Sequence, residues 1–119
     1  MSTEQTITVI DQRLEAIKAR DIDAMVNAYT EGSVIYTPDG PVSGIDNIRK
    51  LFEAFFAGPF AEVHNFEVVQ KNCDGELGYL IWRADTAFAE IPTATDTFII
   101  RDRRIAIQTV AAHIIPKAT

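Results

Sequence analysis

The chain reads as an α+β protein, with helices at its start and a sheet of long antiparallel strands behind them. Three observations point there. Apolar residues recur at helical spacing across residues 3–29 and again across 45–56. From residue 62 onward they alternate with a period of two. Tight-turn sequences, Asp74-Gly75-Glu76 and Arg101-Asp102-Arg103, separate the alternating runs.

Each element follows from its own residues. Ser2-Thr3-Glu4-Gln5 fits a capping box, with a hydroxyl at the cap and Gln three residues on. It opens a helix over residues 3–19 whose apolar stripe is Ile7, Ile10, Leu14 and Ile17. Asp21 then serves as the cap of a second helix. Ile22, Met25, Val26 and Tyr29 fall at i, i+3, i+4 and i+7, and Gly32 is placed to end it. Residues 33–37 are a β-branched strand, Pro38-Asp39-Gly40-Pro41 a turn, and Val42-Ser43 a stub of strand. A third helix begins at residues 44–46. It presents Ile45, Ile48, Leu51, Phe52, Phe55 and Phe56, and Gly58-Pro59 stops it. So much aromatic area has to be covered by a sheet or a partner.

The strands come next. Residues 62–72 place His64, Phe66, Val68 and Gln70 on one face. Over residues 77–88, Leu80, Trp82, Ala84, Thr86 and Phe88 form the more apolar, inward set, while Tyr79, Ile81, Arg83, Asp85 and Ala87 look outward. Ile91-Pro92-Thr93 reads as the following connection. The same parity then gives Ala94, Asp96, Phe98 and Ile100 as inward, so one carboxylate stands among core residues. In the last strand, residues 104–115, Ala106, Gln108, Val110, Ala112 and Ile114 share one face. Ile105, Ile107, Thr109, Ala111, His113 and Ile115 share the other. A strand apolar on both sides is central or is pressed against a second subunit.

Composition narrows the function classes. At 119 residues the chain is expected to be one domain, residues 1–119, burying roughly two-thirds of its unfolded surface. Its net charge of −6 makes nucleic acid and anionic membrane surfaces poor partners. The one basic cluster, Arg101, Arg103 and Arg104, reads as a solvated hairpin tip. A single cysteine, Cys73, allows no internal disulfide and reads as a turn residue. The first residues lack the basic and apolar regions of a signal peptide, and no apolar run is long enough to span a bilayer. The expected location is the cytoplasm. No Cys, His, Asp or Glu pair has metal-ligand spacing on one face, and no phosphate-cradling loop or nucleophile elbow occurs. Neither a metal nor a cofactor is expected.

The order of a helix, then ARDIDAMVNAYTEGSVIYTPDGPVSGIDNIRKLFEAFF, then four strands ending in DTFIIRDRRIAIQ, resembles the nuclear transport factor 2-like superfamily. Within it the likeness is to the SnoaL-like, ketosteroid-isomerase-like branch, and it covers essentially the whole chain. The resemblance implies a cystatin-like roll: a cone-shaped curved antiparallel sheet wrapped around three N-terminal helices, with a pocket between them. It also implies a homodimer through the outer sheet face. Fold alone does not give the reaction, because this superfamily holds isomerases, cyclases, dehydratases, epoxide hydrolases and binding proteins. Against the steroid-isomerase pattern, Thr37 stands where the carboxylate base would be, and Asp39 lies beyond it in the turn. Arg13 aligns with the oxyanion-holding Tyr. Asp96 matches the acid of the oxyanion hole, Tyr29 matches a site Tyr, and Phe52 replaces that Tyr's partner. Against the epoxide-hydrolase pattern, Arg83-Ala84-Asp85 copies one half, while the last strand carries no acid.

Asp96 is thus the central candidate: a neutral acid donating to a ligand carbonyl, a general base, or a structural carboxylate bonded to backbone amides or Gln108. His64 is a second acid–base candidate at the open end of the cone. Tyr29, Thr37, Phe52, Phe55, Trp82, Thr86, Phe98 and Gln108 are the expected pocket residues. Two functions follow. One is a cofactor-independent isomerase, cyclase or dehydratase acting on an apolar carbonyl compound through Asp96. The other is a non-catalytic binding protein for a hydrophobic small molecule.

Overall fold

A computed structural model describes residues 2–118. Its elements are α1 (Thr3–Ala19), α2 (Ile22–Val26), β1 (Tyr29–Thr37), β2 (Gly40–Ser43), α3 (Ile45–Ala57), β3 (Val63–Asp74), β4 (Leu77–Thr86), β5 (Ala89–Arg101) and β6 (Arg104–Pro116). The strands form one curved, unclosed sheet in the order β2-β1-β6-β5-β4-β3. All neighbouring pairs are antiparallel except β1 with β6, which run parallel. The sheet is therefore not antiparallel throughout. Strands that meet through a long excursion of chain are not held to hairpin geometry.

The capping box of α1 is formed in both directions. Gln5 N donates to Ser2 Oγ and Ser2 N donates to Gln5 Oε1, each at 3.1 Å. The helix is then clamped to the β3–β4 turn: Thr6 Oγ1 donates to Gly75 O at 2.6 Å, and Gly75 N donates to Thr3 Oγ1 at 2.9 Å. At its far end Arg20 takes a left-handed conformation. Its guanidinium donates to Phe60 O and Phe56 O, tying α1 to the last turn of α3 and the segment after it. Between these clamps α1 lies so close to β4 that a Cβ on the buried Gly78 would meet Ile10 Cδ1 at 2.1 Å. Ile10 is fully buried, so the end of its side chain would have to shift within the packed core. Gly78→Ala should therefore lower unfolding free energy by about 1–2 kcal/mol in a urea titration.

Several local expectations differ from the structure. α2 stops at Val26, and Tyr29 opens β1 instead of continuing the helix. Tertiary bonds decide this. Ile105 N donates to Ala28 O, and the buried Ser33 hydroxyl accepts from Thr30 N and donates to Ile105 O, so the chain turns into the sheet. Phe88 is half exposed in the β4–β5 turn, not inward. Ile91-Pro92-Thr93 lies within β5, where a register shift leaves Pro92 and Thr93 exposed between the buried Ile91 and Ala94. A second shift, opposite Ile99 and Ile100, turns Ile105 into the core, against the simple alternation of β6. Cys73 lies in β3, half-buried, and burial raises its thiol pKa. Such bulges bend strands, and here they help turn the sheet around a hollow. The Arg101–Arg104 hairpin has positive φ at both Asp102 and Arg103, as a two-residue turn matched to strand twist requires.

Candidate functional site

Under the curved sheet lies a cavity of about 500 Å³, within the range of small-molecule pockets. Phe52 and Phe55 of α3, Phe60, Phe66 of β3 and Trp82 of β4 supply its aromatic wall. Phe60 meets Phe66 and Trp82 edge-on, at 5.9 and 6.0 Å. The exposed Pro38 and Asp39, with the half-buried Thr37, border its open side. Thr37 is held there by its own turn, its hydroxyl donating to Gly40 O at 2.8 Å.

The polar part is one chain of hydrogen bonds built from α1, β1, β4, β5 and β6. Arg13 of α1 carries donors only, so its Nε donates to the Tyr29 hydroxyl (2.9 Å). That hydroxyl then has its proton for Gln108 Oε1 of β6 (2.5 Å). The amide is oriented in turn, and Gln108 Nε2 donates to Asp96 Oδ1 on β5 (3.0 Å). Trp82 Nε1 from β4 donates to Asp96 Oδ2 (2.7 Å). Each donor follows from the one before. The chain ends on a carboxyl group asked only to accept, which suits the carboxylate form. A carboxylate offers about four lone-pair positions, so two are left over. Asp96 is 3% exposed and Gln108 2%, yet both line the cavity, as do Arg13 and Trp82.

Burial works to lower the pKa of Arg13, but the Tyr29 oxygen and the charge of Asp96 outweigh it and hold the guanidinium above its ordinary value. Burial raises the pKa of Tyr29, Arg13 opposes it, and Asp96 adds to the rise. The sign for stability follows. Above about pH 10 the unfolded chain loses the Tyr29 proton while the folded one keeps it. The unfolded state then binds fewer protons, and stability falls as pH climbs from there through the folded value. In urea titrations between pH 8 and 11, the wild-type chain should lose stability more steeply than Tyr29→Phe.

Of the expected site residues, Asp96, Thr37, Phe52, Phe55, Trp82 and Gln108 line the cavity. Four do not. Tyr29 lies behind it, bridging Arg13 and Gln108. Phe98 is fully buried core beneath the Arg13 guanidinium, 5.3 Å from ring centroid to Cζ. Thr86 spends its hydroxyl on the segment after α3, donating to Pro59 O, and on the β4–β5 turn, accepting from Ala89 N. His64 is displaced by a register shift between Val63 and Asn65. It stands half exposed beside Glu62 and Asp85, which is on the outward set. A hydrogen bond from Lys117 leads the effects that hold the Asp85 carboxyl below its ordinary pKa, and His64 adds to it. Arg83 pairs with Glu67 on the same outer face, so Arg83 and Asp85 point away from the cavity. Arg13 lines the cavity too, at the position that the family resemblance aligns with a site Tyr and that apolar patterning passes over. Its signal was a cation on the inward stripe with Val9, Ile10, Leu14 and Ile17.

A family model for the SnoaL-like domain matches residues 10–112. The chain belongs to the SnoaL-like domain family. Solved structures with the same fold include an NTF2-like protein of unknown function from Mesorhizobium loti, at TM-score 0.78 and 20% identity over 93% of each chain. A "putative polyketide cyclase" from Sinorhizobium meliloti superposes at TM-score 0.75 with 21% identity, over 87% of this chain and 94% of that one. A "putative ketosteroid isomerase" from Kribbella flavida superposes at 0.78 with 12% identity, over 98% and 82%. At such identities these likenesses concern the SnoaL-like fold alone. No functionally curated protein matches the sequence. Among the described residues of this SnoaL-like chain, no three His, Cys, Asp or Glu side chains are grouped to hold a metal. No helix of the described residues is long and apolar enough to cross a membrane.

Proposed function

We propose that this SnoaL-like protein binds an apolar carbonyl compound and moves a proton on it, with Asp96 as proton acceptor and donor. One observation carries the reading: a carboxylate with unused lone pairs faces an aromatic cavity that can take a small molecule. Asp96 takes a proton from the carbon next to the carbonyl. The electron pair of that C–H bond moves onto the carbonyl oxygen, giving an enolate. In a β,γ-unsaturated ketone, return of the proton from Asp96 to the γ-carbon completes an isomerisation; in a β-hydroxy ketone, the enolate pair expels the β-hydroxyl, which leaves as water with the proton that Asp96 took, and the step is a dehydration. Trp82 and Gln108 hold the carboxylate in place, and the apolar wall excludes water from the enolate. No step runs through His64, Arg83 or Asp85, which the fold keeps outside the cavity. Two structural neighbours described as a "putative ketosteroid isomerase" and a "putative polyketide cyclase" are compatible with this chemistry.

The test is deuterium exchange in D2O, followed by proton NMR, on enolisable bicyclic ketones such as 2-tetralone. Protein-dependent loss of the α-proton signal supports the proposal. Ketone that binds but exchanges no faster than in buffer favours the second reading, a binding protein without chemistry. That reading has its own support: no buried side-chain polar atom among the described residues lacks a partner, so the network also suffices as a strut.

We also propose a homodimer through the outer sheet face. Its centre is the cross-strand set Thr95–Ala111, Thr97–Thr109 and Ile99–Ile107, small and largely uncharged. Ala111→Arg should convert the dimer to monomer in size-exclusion light scattering; a wild-type chain already monomeric at micromolar concentration removes the proposal.

A further inference from the structure

The hydrogen-bond chain leaves one set of donors unspent. Of the five N–H groups of a guanidinium, Arg13 uses Nε on Tyr29. The two terminal nitrogens donate to no side chain or backbone atom of the described residues. They are not shut away either, since no fully buried side-chain nitrogen or oxygen there lacks a partner. Arg13 is 7% exposed, and its carbon Cζ lies over the rings of Phe52 (5.8 Å) and Phe98 (5.3 Å). The opening that remains is the cavity it lines. No carboxylate oxygen of the described residues comes within 4.0 Å of it, so its charge has no direct ion-pair partner. Tyr29 and the more distant charge of Asp96 already favour the guanidinium, and an anion placed against its free terminal nitrogens would give it a direct, hydrogen-bonded partner as well.

We propose that Arg13 is the head-group site of the cavity, and that the ligand is an apolar molecule carrying one anionic oxygen group held by the two terminal nitrogens. This rests on the reading that the cavity takes an apolar small molecule. Two sources share the chemistry. The anion is a carboxylate already on the ligand, whose two oxygens match the guanidinium fork, or it is the enolate oxygen that forms as Asp96 takes the proton. In either case the hydrocarbon body lies against Phe55, Phe66 and Trp82.

Trp82, the only tryptophan, lines the cavity, so its fluorescence reports occupancy. The probes are adamantane-1-carboxylate, its methyl ester and adamantyl methyl ketone, titrated into wild-type, Arg13→Met and Arg13→Lys chains. Exchange of 2-tetralone is followed on the same samples. A permanent head group predicts that wild type binds the carboxylate roughly 10- to 100-fold tighter than the ester. Arg13→Met erases that preference while still binding the ester, which shows the cavity intact, and Arg13→Lys restores part of it. An enolate head group predicts no carboxylate preference, but an exchange rate lowered at least tenfold at saturating ketone in Arg13→Met, with ketone affinity little changed. Absence of both dependences on Arg13 overturns the proposal. Exchange that persists in Arg13→Met without carboxylate preference removes the Arg13 site and leaves proton transfer by Asp96 standing. Arg13-dependent carboxylate binding with no exchange of any ketone supports the site and removes the proton transfer.

Discussion

Replacing Asp96 by Asn should slow exchange of the α-protons of a bound ketone by about 10²- to 10⁴-fold, the usual worth of a positioned general base. Asn keeps the volume of the side chain and removes the group that takes the proton. It also sets an amide nitrogen against one of two donors, Trp82 Nε1 or Gln108 Nε2. Gln108 cannot turn over to help, because its Oε1 is held by Tyr29. A stability cost of about 1–2 kcal/mol therefore accompanies the loss of exchange. Ketone affinity, read from Trp82 fluorescence, should stay within a few-fold, because the aromatic wall is untouched. Loss of exchange with retained binding is the pattern that assigns chemistry, and not cavity shape, to Asp96.

Gln108→Leu should lower unfolding free energy by about 3 kcal/mol, more than an ordinary core substitution of similar volume. The variant strands two buried groups at once: the Tyr29 hydroxyl loses its acceptor and Asp96 Oδ1 loses its donor. Each orphan costs about 1–3 kcal/mol. Tyr29→Phe/Gln108→Leu should be less unstable than the sum of its single variants, since Phe leaves no hydroxyl to strand. Urea titrations of the four chains measure this coupling. Strict additivity would mean that the hydrogen-bond chain is not the connected unit described above.

The helices-then-strands order, the capping box and the inward parity of Leu80, Trp82 and Ala84 could be read from the sequence, because each depends on neighbours a few residues away. Asp96 could be read for the same reason. A lone acid in an otherwise apolar alternation stands out whatever surrounds it. The misplacements share a different cause. His64, Ile91-Pro92-Thr93 and Ile105 sit at or beside register shifts, and a shift is set by the partner strand, which local pattern does not contain. Tyr29 keeps helical spacing with Ile22, Met25 and Val26 although it opens a strand, and a period-based reading cannot tell the two apart when both bury the residue. Alternation places Thr86 inward, as found, but its hydroxyl serves the turn that follows and the segment after α3. Arg13 shows the opposite failing. Its helical position beside Val9 and Leu14 is visible, yet an apolar stripe is traced through its apolar members, so only the family resemblance, and not the pattern, points to the cation among them.

A crystal structure of the protein soaked with 2-tetralone tests the central claim most directly. The account predicts the ketone inside the aromatic wall, its oxygen about 3 Å from a terminal nitrogen of Arg13. Its α-carbon should lie about 3–3.5 Å from a carboxyl oxygen of Asp96. Ketone bound elsewhere, or held in the cavity with its oxygen and α-carbon turned away from both side chains, would contradict it.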